Sequence, residues 1–122
     1  MEKYYLAVDI GASSGRHMLA WMADGRMHLE EIYRFPNGME NVDGTLCWNV
    51  RRLFDEIKNG LKKCKESGKI PAFIGIDTWA VDYVLLDGRD RILGHTAGYR
   101  DSRTKGMDEK VCETISPSAL YK

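Results

Sequence analysis

The alternation of apolar and polar positions changes period along the chain, and each change predicts an element. Tyr4, Leu6, Val8 and Ile10 interleave with Tyr5, Ala7 and Asp9, so residues 4–8 are apolar throughout. Such a run predicts a strand covered on both faces. A short interval of small residues follows, and residues 17–23 predict a second strand. Asp24-Gly25 is a two-residue hairpin signal. Residues 27–35 then predict a third strand, antiparallel to the second, with a bulge where the alternation slips at Glu30-Glu31. Pro36-Asn37-Gly38 ends it, and residues 41–45 read as polar connection.

The period then becomes helical. Val50, Leu53, Phe54, Ile57, Leu61 and Cys64 recur at steps of three and four, which is one face of a helix. Asn49 is placed as its N-cap and Gly68 as its terminal glycine. Arg51–Asp55 and Arg52–Glu56 fall at i,i+4 on the outer face. Gly60 lies inside the helix, with no reason in the sequence beyond close packing. After Pro71, residues 72–76 predict a strand that returns through this crossover to lie parallel to the first. Beyond it the pattern predicts a hairpin of 83–86 with 91–93 turning at Asp87-Gly88, a short strand at 97–99, a helix over 105–115 and another opening at Ser116-Pro117. The chain stops inside that last helix, so it is expected to be part of a longer protein. The class is α/β, with a mixed sheet of three antiparallel strands and one parallel strand after a crossover helix.

Composition narrows the function classes. A hydrophobic fraction of 43% and a charged fraction of 30% suit one domain with a core. Lys+Arg and Asp+Glu are both 18, which removes the cationic footprint expected of a nucleic-acid binder. No apolar run approaches a membrane span, and with the first strand predicted so near Met1 no leader is expected. Cys47, Cys64 and Cys112 lack the pairing of a disulfide framework or zinc site, which suits a reducing cytoplasm. His17, His28 and His95 lack ligand spacing and read as surface or rim residues.

Three polar clusters remain. In Asp9-Ile10-Gly11-Ala12-Ser13-Ser14-Gly15-Arg16, an acid ends a strand, small residues let backbone amides approach an anion, and an arginine stands at the exit. This reads either as a nucleotide phosphate loop, with Asp9 beside it for Mg²⁺, or as an ordinary Gly/Ser-rich turn. The loop lacks the Walker ending and the dinucleotide-binding glycine pattern. In Asp77-Thr78-Trp79-Ala80-Val81-Asp82, Trp79 offers a wall for a sugar ring and Asp82 offers acceptors for hydroxyls, at the strand end where open α/β sheets hold ligands. The other reading is a buried tryptophan with Asp77 capping a turn. The third cluster, Tyr99-Arg100-Asp101-Ser102-Arg103, reads as a salt-bridged loop or a ligand contact.

The first cluster between antiparallel strands, the helix opening at Trp48-Asn49-Val50, the stretch from Gly75 through Asp87, and Tyr99-Arg100-Asp101-Ser102-Arg103-Thr104 together resemble the start of the FGGY carbohydrate kinases, in the order and spacing of their rhamnulokinase branch. The resemblance runs from about Tyr5 to the chain end. It implies the actin-like ATPase, RNase-H-like fold, with residues 1–122 forming an incomplete first domain. It also implies transfer of the ATP γ-phosphate to the 1-hydroxyl of L-rhamnulose, with Mg²⁺. By the same resemblance, Ala12, Ser13, Ser14, Gly15 and Arg16 hold ATP phosphates, Asp9 lies beside the metal, and Trp79, Ala80 and Asp82 contact sugar. The family often has Gly at the position of Ala80, and the extra methyl narrows that contact. The catalytic base is expected outside these residues, so the chain alone is expected to be inactive and prone to self-association. L-fuculokinase and xylulokinase activities stay open. So do a two-metal nuclease built on Asp9, Asp77 and Asp82 and an actin- or chaperone-like ATP-switched domain.

Overall fold

The first strand sets the register of the sheet. In the computed structural model, which describes residues 2–121, β1 (Tyr4–Ile10) pairs antiparallel with β2 (Ser14–Ala23), and β2 pairs antiparallel with β3 (Arg26–Pro36). Helix α1 (Val50–Glu66) crosses over, and β6 (Pro71–Asp77) returns parallel to β1. The sheet order is β3-β2-β1-β6, as the hydrophobic pattern predicts. The alternation slip falls at a register shift between His17 and Met18 opposite Glu31.

Coverage on both faces of β1 is not observed. Leu6, Val8 and Ile10 are buried while Tyr5, Ala7 and Asp9 are exposed. The reason is that α1 packs Leu53, Ile57, Leu61 and Cys64 onto one face alone. On the other face Tyr5 and Phe73 stack on each other at 5.7 Å between centroids, both open to solvent. Phe54, expected on the packed face of α1, is 60% exposed with the Lys58 ammonium 5.0 Å above its ring. The Asn49 side chain caps α1 by accepting from the Arg52 N–H at 3.0 Å, and Gly68 follows the helix at φ +74°. Arg52 pairs with Glu56 at 3.9 Å as expected. Asp55 pairs with Lys58 at 2.6 Å.

His17 corrects another expectation. It is fully buried, because the period of β2 places it on the same face as Gly15 and Leu19, against α1. This explains Gly60, where a Cβ would come within 2.1 Å of the His17 ring. Among the described residues neither His17 nitrogen has a hydrogen-bond partner. Burial lowers the pKa of the imidazole and favours its neutral form, and the ring meets Tyr33 edge-on at 5.4 Å.

The stretch read as polar connection contains a hairpin, β4 (Glu40–Val42) with β5 (Thr45–Cys47), turning through Asp43 and Gly44, both at positive φ. After β6 the elements are small. The 83–93 hairpin reduces to one bridge, Leu86 with Ile92, and the strand at 97–99 to one bridge, Cys47 with Ala97. A 3-10 turn at Ser102–Thr104 leads to α2 (Met107–Cys112), shorter than expected, and to α3 (Pro117–Leu120), which the Ser116 side chain caps. Among the described residues, no helix is long and apolar enough to cross a membrane.

Candidate functional site

The turn joining β1 to β2 is built differently from a self-sufficient hairpin. Gly11 to Ser14 spans two central residues, and neither Ala12 nor Ser13 has positive φ. The two-residue turns that match strand twist need positive φ at the first central residue or at both. Only the Gly11 N–H to Ser14 carbonyl bond closes the turn, at 2.9 Å. The Gly11 carbonyl instead accepts from the Asn37 side-chain amide at 2.8 Å, and the Ser13 carbonyl accepts from the Asn37 N–H at 2.9 Å. The N–H groups of Ala12 and Ser13 lie outside the strands, and among the described residues no backbone acceptor takes them. The turn therefore presents donors, as an anion cradle does.

Gly15 has a packing reason to be glycine. It is buried, and a Cβ there would come within 2.1 Å of the Phe35 ring. Its neighbour Arg16 lies opposite Asp9, with Nε 3.2 Å from Oδ2. The two form an ion pair without an aligned hydrogen bond. Asp9 also faces Asp77 across the parallel ladder. Paired residues of a ladder share a face, with strands about 4.8 Å apart. Two carboxylates and a guanidinium thus gather at one end of the uncovered sheet face.

The second cluster is organised by a residue the sequence did not single out as a site residue. Trp48, 5% exposed, follows β5 directly. Its indole N–H donates to Asp82 Oδ2 at 2.6 Å, and the Trp79 N–H donates to the same oxygen at 2.8 Å. The two ring centroids are 4.1 Å apart. Asp82 therefore commits one oxygen to holding two tryptophans. Val81, in the turn from Trp79 to Asp82, has φ +71°, a strained backbone for a β-branched residue. Ala80 is exposed and its φ is not positive, so the backbone there does not demand glycine.

In the third cluster Asp101 is buried and, among the described residues, forms no salt bridge. It accepts from the Leu46 N–H at 2.8 Å and the Arg103 N–H at 3.0 Å, and these backbone donors hold its carboxyl below the usual carboxylate range. Tying the loop to β5 in this way leaves Tyr99 and Arg100 facing a cleft.

That cleft, of about 340 Å³, brings the first and third clusters together with Trp48: Ala12, Ser13, Asn37, Trp48, Tyr99 and Arg100 line it. A smaller one of about 180 Å³ lies between Trp48, Trp79, Asp82 and Tyr83. Trp48 lines both and links the first cluster to the second. Asp9, Asp77 and Asp82 do not converge: among the described residues no three His, Cys, Asp or Glu side chains form a metal-ligand group. Asn37 and Trp48 were missed because their partners are distant in sequence, 26 and 34 residues away.

No family model matches the chain. Over 97% of its length it is 51% identical to a rhamnulokinase of Halalkalibacterium halodurans, and over 96% it is 44% identical to a rhamnulokinase of Bacillus subtilis. It covers 25% and 24% of those proteins, so the chain spans about a quarter of the length of the curated relatives it matches. Among solved structures, a xylulose kinase of Rhodospirillum rubrum superposes over 97% of the chain and 25% of its own, with a TM-score of 0.75 at 18% identity. A gluconate kinase of Lactobacillus acidophilus superposes over 93% of the chain and 23% of its own, with a TM-score of 0.68 at 16% identity. These likenesses show the actin-like ATPase fold of sugar kinases. Over the quarter of their length that it matches, the chain is similar to rhamnulokinases in sequence, and its fold is that of sugar kinases.

Proposed function

We propose that this chain supplies the phosphate-holding and sugar-facing parts of a kinase that transfers the γ-phosphoryl group of ATP to the 1-hydroxyl of L-rhamnulose. The observation that carries the reading is the cleft that seats the Ala12–Ser13 turn against Trp48, whose indole shares the Asp82 oxygen with Trp79. Trp48 borders both clefts, so a phosphoryl donor seated in one and a sugar in the other would share this residue as a common wall. Phosphoryl transfer depends chiefly on such positioning and on electrostatic stabilisation. The relatives named rhamnulokinase support the choice of sugar.

On this reading the amides of Ala12 and Ser13, the hydroxyls of Ser13 and Ser14, the backbone of Gly15 and the guanidinium of Arg16 hold the phosphates. Trp79 provides the wall for the sugar ring. Asp82 keeps its second oxygen for a sugar hydroxyl, and Ala80 narrows that edge. Asp9, with Asp77 beside it, suits Mg²⁺, which commonly takes one or two carboxylates together with substrate phosphates. The ion, when bound, would neutralise charge on the phosphate oxygens. No residue of this chain is assigned as the base that accepts the sugar proton. The chain is read as the first part of the first of two kinase domains, acting in the cytoplasm. The nuclease alternative is not favoured, because its three carboxylates do not gather.

The test is a chimera in which this chain replaces the matching quarter of the Bacillus subtilis rhamnulokinase. A folded chimera is expected to phosphorylate L-rhamnulose with ATP, and the 122 residues alone are expected not to. A folded but inactive chimera, or turnover by the chain alone, would contradict the reading. The uncovered sheet face, with Tyr5, Leu29 and Phe73 exposed, supports self-association of the isolated chain with a second copy. Sedimentation at tens of micromolar is expected to give a dimer or larger species, against which a monomeric mass would count.

A further inference from the structure

We infer that Asn37 is a positioning residue for phosphate, the residue that turns the Gly11–Ser14 connection from a closed hairpin into a donor cradle. The inference rests on the reading of that turn as a phosphate site. A two-residue connection without positive φ splays its strands and makes a poor closing pair. Here the missing closure is replaced from outside the turn. Asn37 stands just beyond β3, donates its side-chain amide to the Gly11 carbonyl and its backbone N–H to the Ser13 carbonyl, and is itself fixed by the Gly38 N–H donating to its Oδ1 at 2.9 Å. With the Ser14 carbonyl taken by the Gly11 N–H, three of the turn's carbonyls are occupied by donors. Carbonyl oxygens repel an anion and N–H groups attract it. Occupying the first while leaving the Ala12 and Ser13 amides free gives the cleft wall its sign.

Asn37 also lines the cleft next to Ala12 and Ser13. Its Oδ1 is held by Gly38 and its Nδ2 by Gly11, so the amide orientation follows from the hydrogen bonds on both ends. Asparagine suits this position because one short neutral side chain must donate to one backbone group and accept from another. Aspartate would place an acceptor against the Gly11 carbonyl, and alanine would leave that carbonyl free to swing into the cleft.

The test uses this chain, labelled with ¹⁵N and titrated with inorganic pyrophosphate at low ionic strength. In the wild type the Ala12 and Ser13 amide resonances are expected to shift saturably. Asn37→Ala is expected to weaken that binding about fivefold or more, the effect of one lost hydrogen bond, while the resonances of α1 stay in place. Asn37→Gln, which keeps the amide donor, is expected to recover part of it. Asn37→Leu, close in shape and without polar atoms, takes the place of Asn37→Ala if the latter does not fold. Unchanged affinity in a folded Asn37→Ala or Asn37→Leu chain overturns the inference and leaves the phosphate reading standing. Absence of any shift at Ala12 and Ser13 in the wild type overturns the phosphate reading itself, and the inference with it. Unfolding of both variants overturns the inference by making Asn37 a folding residue.

Discussion

Two turns join neighbouring strands of the same sheet, and they are made in opposite ways. Asp24-Gly25, between β2 and β3, has φ +50° and +71° and is exposed on all sides. Its shape follows from its own two residues, and nothing else touches the space around Gly25, where an added Cβ would meet no atom within 4 Å. The Gly11–Ser14 turn has no positive φ and is held from a distance by Asn37. The residue after it, Gly15, lies under Phe35. A turn that only reverses the chain can be local. A turn whose amides are left for a ligand needs its shape imposed by the rest of the fold, because its own hydrogen bonds no longer close it.

Substitution by alanine separates the two. Gly15→Ala is expected to have the largest effect, because its Cβ would lie 2.1 Å from a Phe35 ring that is only 2% exposed. Such overpacking costs about 3 kcal/mol, read as a fall of more than about 10 °C in melting temperature. The Asn37 variants come next, lowering pyrophosphate affinity with little change in melting. Gly25→Ala comes last. Its cost is the left-handed conformation alone, about 1 kcal/mol, with pyrophosphate affinity unchanged. A Gly15→Ala protein as stable as wild type would show that Phe35 can retreat, and would remove the packing reason for that glycine. A Gly25→Ala protein with weakened pyrophosphate binding would erase the distinction between the turns.

The elements that a sequence shows are those whose cause is local. β1, α1 and β6 carry apolar periods long enough to read, and Asp24-Gly25 announces its own hairpin. Asp43-Gly44 carries the same signal, but its strands of three residues are too short to show alternation. His17 is polar by type yet buried by its period-two position beside Leu19, so residue type alone points it the wrong way. Phe54 lies in the apolar stripe of α1 but outside the core, because that stripe is wider than the sheet surface that meets it. In the candidate site, the residue types and the strand ends of Asp9 to Arg16 and Asp77 to Asp82 were legible. The tie of Asp82 to Trp48 and the clamp of Asn37 were not, since each joins residues with no shared local pattern. Tyr99 to Arg103 was ambiguous for the same reason: Asp101 serves the backbone of Leu46, 55 residues away.

The central claim is that phosphate and sugar sites meet at Trp48, and one set of ¹H–¹⁵N spectra tests it most directly. The unmodified chain is titrated first with pyrophosphate and then with L-rhamnulose, and the indole N–H signals of Trp21, Trp48 and Trp79 are followed together with the amides. The expected result is that pyrophosphate moves Ala12 and Ser13, L-rhamnulose moves the indoles of Trp48 and Trp79, and the signals of Trp21 and Gly25 stay fixed. Shifts spread equally over both turns, or L-rhamnulose shifts that leave Trp48 and Trp79 unmoved, would contradict it.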